Sequence, residues 1–151
     1  MLRSGLIAAA VMLVLTIGVT LISPYCVPCL ALLIGLGAGA VAGVFDKPST
    51  RGASAQAGAE AGALGGIGAI LGHLIGGGLN ALVVGPAGAA RLLSQIGFSD
   101  TGMTPTTYYG FTLGAACCIG LLDVLLMAGL GALGGLLWWQ QAGKSAAGPA
   151  A

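Results

Sequence analysis

Four long stretches without clusters of charge constrain this chain more than anything else in it. Its 151 residues carry only five Lys or Arg and four Asp or Glu. Arg3 stands near the start. Asp46, Lys47, Arg51 and Glu60 share one short polar stretch, Arg91 and Asp100 a second, and Lys144 lies near the end. Between them run the apolar segments 6–22, 29–45, 61–85 and 111–137, of which only the last holds a charge, Asp123. A helix needs ~20 residues to cross ~30 Å of hydrocarbon, with a working range of ~17–25. The first two segments, at 17 residues each, are just long enough, and the last, at 27, must tilt or project. Strands are a poor reading: nothing alternates with period two, and the segments are rich in Ala, Leu and Gly.

Composition removes the main alternatives. Charged residues make up 6% of the chain and hydrophobic ones 57%, whereas an average soluble domain is ~25% charged. Too few charges remain to cover a water-facing surface. A net charge of +1 offers no field for nucleic-acid phosphates, and the high hydrophobicity argues against native disorder. The aromatic residues Tyr25, Phe45, Phe98, Tyr108, Tyr109, Phe111, Trp138 and Trp139 all lie at or near segment ends, the belt expected at headgroup level. The expected fold is all-α, an integral membrane bundle of four transmembrane helices arranged as two helical hairpins. It forms one domain over 1–142, with an outer loop at 86–109 and a disordered tail at 143–151.

With four spans, Arg3, Lys47, Arg51 and Lys144 share one side and Arg91 stands alone on the other. The excess places both termini in the cytoplasm of a multi-pass cell-membrane protein. A cleaved leader competes for the first segment, but its apolar run exceeds the usual ~7–15 residues and no small-x-small site follows. Within the loops, the 46–60 stretch can continue helically into the third span. Residues 89–96 can form a short helix lying on the membrane. Thr104-Pro105 has the form of an N-cap followed by proline, which starts the fourth helix early.

Glycine recurs at every fourth position: Gly35, Gly39 and Gly43 in the second span, Gly68, Gly72 and Gly76 in the third. Gly58, Gly62 and Gly66 form a run upstream, and Gly131 and Gly135 a shorter pair in the fourth. Positions four apart share a helix face, and a face without side chains lets two backbones approach closely. This resembles the glycine-zipper pattern of many unrelated membrane proteins, and it names a packing mode rather than a family. Two uses stand open: packing inside the monomer, second span against third, or association with a second copy or a larger membrane complex.

Two ionisable residues lie within the spans. His73 is 13 residues from Glu60, and Asp123 is 15 before Trp138, hence depths of ~20 and ~22 Å at 1.5 Å per residue. A carboxylate facing lipid is expensive, so His73 is the expected partner of Asp123, with Asn80 on the same face two turns outward. A structural hydrogen bond and a proton or cation relay are both open. Cys26 and Cys29 form a C-x-x-C between the first spans, and Cys117 and Cys118 fall in the same outer layer. A disulfide, inert buried thiols, or an active thiol or metal cluster fit that layer. Adjacent cysteines point ~100° apart on a helix, which weakens a zinc site.

No phosphate-binding loop, H-E-x-x-H or Gly-x-Ser-x-Gly elbow is present. No catalytic, cofactor-binding or metal residue is therefore assigned. The expected function is non-enzymatic: a small structural or accessory membrane subunit, partnered by lipid and by itself or another membrane protein. Two alternatives stand beside it. One is a small oligomeric pore or proton/cation pathway using His73, Asn80 and Asp123. The other is a membrane thiol redox protein using Cys26 and Cys29.

Overall fold

The computed structural model describes residues 2–22, 26–95, 97 and 104–143, and these are helical almost throughout. The helices are α1 (Leu2–Ile22), α2 (Val27–Asp46), α3 (Arg51–Gln95) and α4 (Pro105–Trp138), the last running into one π-helical turn, Trp139–Gly143. All four are long and apolar enough to cross a membrane. Tyr25, Phe98 and the tail beyond Gly143 lie outside the described residues.

Local chemistry sets the ends. α2 stops where Lys47 takes a left-handed conformation (φ 41, ψ 56) and its N–H donates to the Gly43 carbonyl. Pro48 then prevents the helix from continuing. Thr50 restarts the chain, its Oγ1 accepting from the Ala53 N–H at 3.1 Å, so α3 begins ten residues before its apolar run. The stretch 51–60 is thus helix, with Gln56 Nε2 donating to Glu60 Oε1 one turn on. α3 breaks at Gly85 (φ 65, ψ 172), the residue before Pro86, because proline lacks an N–H and disfavours helical geometry in the residue preceding it. A second limb then runs to Gln95. At α4 the Thr104 side chain accepts from the Thr107 N–H with proline in the first turn, so this helix starts six residues before its apolar segment.

The register between helices fixes their directions. Ideal Cβ atoms built on Gly58, Gly62 and Gly66 meet Gly131, Met127 and Val124, and one on Gly120 meets Ile70. Numbers rise on α3 as they fall on α4, so this pair is antiparallel, each member ~50 Å long up to the Gly85 kink. On α1 the numbers rise together with those of α3: Gly68 meets Ala9, Gly72 meets Thr16 and Gly76 meets Thr20. α2 likewise runs parallel to α4, with Gly35 against Met127, Gly39 against Gly131 and Gly43 against Trp138. The central pair is therefore α3 and α4, flanked by α1 on α3 and α2 on α4, while α1 and α2 touch each other less extensively.

This corrects the expected pairing of second span with third. α3 gives one small-residue face to α1 and another to α4, so the glycines of α2 meet α4 instead. α2 touches α3 only secondarily.

The burial pattern is the reverse of a water-soluble bundle. α1 buries Ser4, Gly5, Ala8, Met12, Thr16 and Thr20 and leaves Leu6, Ile7, Val14 and Ile22 exposed. On the other helices Leu33, Val83 and Leu125 are exposed to 71%, 84% and 72%. A helix in water buries its large apolar side chains. Here they face outward and the small or polar ones face in, the arrangement that close backbone contact in lipid favours. Ala8, Ala38, Ala42, Ala57 and Ala61 form one core cluster, and Met12, Ala31, Ala69 and Met127 another.

Candidate functional site: a buried His–Asp pair beside a cavity

His73 on α3 and Asp123 on α4 meet inside the bundle. Nε2 lies 3.0 Å from Oδ2, with the two residues 2% and 0% exposed. On the α3–α4 register, Ile70 opposite Gly120 and Gly66 opposite Val124, their Cα atoms are offset by about six residues, or roughly 9 Å along the axis. Side chains on a helix lean toward its N-terminus. In an antiparallel pair, His73 and Asp123 therefore lean toward each other and close the gap.

The pair is only partly satisfied. Asp123 Oδ1 is buried without a hydrogen-bond partner among the described residues, as are the hydroxyls of Thr16 and Thr20 on α1. A buried polar group left alone costs ~1–3 kcal/mol, and such groups commonly hold ordered water instead. Asn80 does not reach the pair. Its Nδ2 makes a long bond of 3.4 Å to the Thr20 carbonyl, tying α3 to the last turn of α1.

What His73 and Asn80 share is a cavity of about 350 Å³, lined also by Thr20, Tyr108, Thr112 and Ile119. A second, of about 310 Å³, also touches His73, with Gly77, Gly78, Tyr109 and Thr112. Thr16, Thr20 and Thr112 were not singled out from sequence, and Tyr108 only as a member of the aromatic belt. The signal for the two on α1 was present, since Ser4, Ala8, Met12, Thr16 and Thr20 repeat every fourth residue. On α4 the Thr112 hydroxyl donates to the Tyr108 carbonyl one turn back at 2.9 Å, leaving its lone pairs for the cavity.

Cys26, Cys29, Cys117 and Cys118 are all free and all exposed. The α2–α4 register brings both pairs to a similar level, but no disulfide joins them. They lie on the outer surface of the bundle rather than inside it, where, as on the rest of this bundle, the outward positions take the apolar side chains. No group of three His, Cys, Asp or Glu side chains converges among the described residues. Comparison with protein families, curated proteins and solved structures finds no match to this chain. The fold and the site define it by themselves: an all-helical chain with four potential membrane spans and, among the described residues, a buried His–Asp pair.

Proposed function

We propose that this chain is a non-enzymatic membrane protein, a four-span structural or accessory subunit that associates with a second copy of itself. Its helices form two hairpins packed in glycine-zipper fashion. The observation that carries this reading is a division among the glycines. Ideal Cβ atoms on Gly39, Gly58, Gly68 and Gly131 meet backbone of another helix, whereas those on Gly110 and Gly114 of α4, one turn apart, meet nothing. The internal faces are filled; an outward face of α4 retains small residues at helical spacing, where a second backbone can approach.

Orientation rests on charge. The register gathers Arg3, Lys47 and Arg51 at one end and leaves Arg91 near the other, which favours cytoplasmic termini in the cell membrane. Native mass measurement and crosslinking in mild detergent test the association. Dimers or larger species, lost on Gly114→Leu, are expected; a lone monomer under both conditions overturns it. Reporter fusions at the two termini should respond from the same compartment.

A further inference from the structure

The larger cavity sits at the Gly85 end of the bundle, and its position bears on what the buried pair can do. Thr20 lines it and lies in the last turn of α1, two residues before that helix ends at Ile22. Beyond this level α1 has stopped, while α3 and α4 continue. Asn80, on the same wall, is five residues from the Gly85 kink, about 8 Å. The space thus runs from His73 to the level at which the four-helix section gives way to the projecting α3–α4 pair.

In the opposite direction it is shut. One turn beyond the pair stand Met12, Ala69 and Met127, each 0% exposed and packed with Ala31. Past them Gly62 and Gly58 lie against the backbone of α4 so closely that no Cβ fits. No room for water exists along that seam.

We propose that the cavity holds water continuous with the aqueous phase at the Gly85 end, making His73–Asp123 a protonation site that exchanges protons from that end alone. At ~30 Å³ per molecule the volume admits several waters. The walls supply polar partners of the kind that each needs: the Thr112 hydroxyl, Asn80 and the imidazole edge. The step balances simply. The pair with neutral imidazole and carboxylate carries one negative charge, and one proton taken from the aqueous phase brings it to zero.

The titratable groups on the packed elements are few. Tyr108 and Tyr109 line the two cavities, and the thiols of Cys117 and Cys118 on α4 and Cys26 and Cys29 on α2 are exposed. α1 contributes only the hydroxyls of Thr16 and Thr20. This assignment does not depend on self-association, and a monomer satisfies it equally.

The chain contains one histidine, so 15N-histidine labelling in lipid nanodiscs reports on His73 alone. The imidazole nitrogens should shift with the pH of the medium, and the ring N–H should exchange readily with D2O. Gly77→Leu introduces a side chain where an ideal Cβ meets open space, on the wall shared by both cavities. It should slow exchange by about tenfold or more, because local opening must then replace a standing water path. Ala116→Leu, on the same two cavity walls, serves if Gly77→Leu does not fold. Gly37→Leu, in open space on the far side of the methionine seal, should leave the exchange rate unchanged. A wild-type ring that ignores the medium's pH and exchanges as slowly as the Met127 amide overturns the proposal. So does equal slowing by the plugs and Gly37→Leu.

Discussion

Gly131 is the position at which a single methyl group should do the most damage. It lies between two helices: an ideal Cβ on Gly39 of α2 meets the Gly131 carbonyl, and one on Gly131 meets the Gly58 carbonyl of α3. In Gly131→Ala the new Cβ would stand 3.0 Å from the Gly58 carbonyl carbon and 3.2 Å from the Gly62 Cα. Carbon atoms pack best at ~3.5–4.0 Å, so the helices must part by roughly 0.5–1 Å, and such a gap forfeits a quarter to a half of each contact's ~0.1–0.2 kcal/mol. Over a few tens of contacts along the seam the loss is ~1–3 kcal/mol, the usual cost of overpacking.

The control lies two residues away. Gly129 shares the helix and the composition, but an ideal Cβ there meets nothing. Gly129→Ala should be neutral or stabilising by up to ~1 kcal/mol through reduced backbone freedom in the unfolded state. Reversible unfolding in mixed micelles, followed by circular dichroism, measures both. Equal stability of the two variants would refute the claim that backbone contact at Gly131 holds α2, α3 and α4 together.

Three further outcomes are expected. A double-mutant cycle with His73→Ala and Asp123→Ala should give a coupling of ~0.6–1.7 kcal/mol, the span measured for hydrogen bonds between membrane helices; zero coupling in the unfolding assay would mean that the 3.0 Å contact contributes nothing. Ser54 is buried and its Oγ donates to the Gly135 carbonyl at 2.7 Å, so Ser54→Ala should lower stability by ~1 kcal/mol, whereas the exposed Ser94→Ala should not. Lys47→Gly should raise stability by ~0.5–1 kcal/mol, since Lys47 holds a left-handed conformation that costs an L-residue ~1–2 kcal/mol, part of which glycine gives back in chain entropy.

Much of the fold can be read from where charges are missing. The four apolar segments become four helices, and Thr104-Pro105 caps the last of them as its residue types require. The meeting of His73 and Asp123 was anticipated by counting turns from Glu60 and Trp138, although the register offsets their Cα atoms by roughly 9 Å and the lean of the two side chains closes the gap. Other features could not be read so directly. A small residue every fourth position marks a face suited to close approach without naming its partner, and Gly35, Gly39 and Gly43 therefore gave no hint that they meet α4. The polar character of 51–60 allowed a helical continuation into the third span without fixing it. Yet Ser54 extends the Gly58, Gly62 and Gly66 series by one more step of four, and that continuity was the usable signal. The cavity was out of reach, since it depends on α1 ending beside Thr20 while α3 and α4 continue.

The central claim is that the outward side chains of this bundle face lipid. Nitroxide labels at Val14, Leu33, Leu71 and Leu125, one exposed position on each helix, test it in a cysteine-free background reconstituted into bilayers. Collision rates with molecular oxygen, which concentrates in hydrocarbon, should be high at all four sites. Rates with a water-soluble nickel chelate should be low. High nickel accessibility and low oxygen accessibility at these positions would contradict the account.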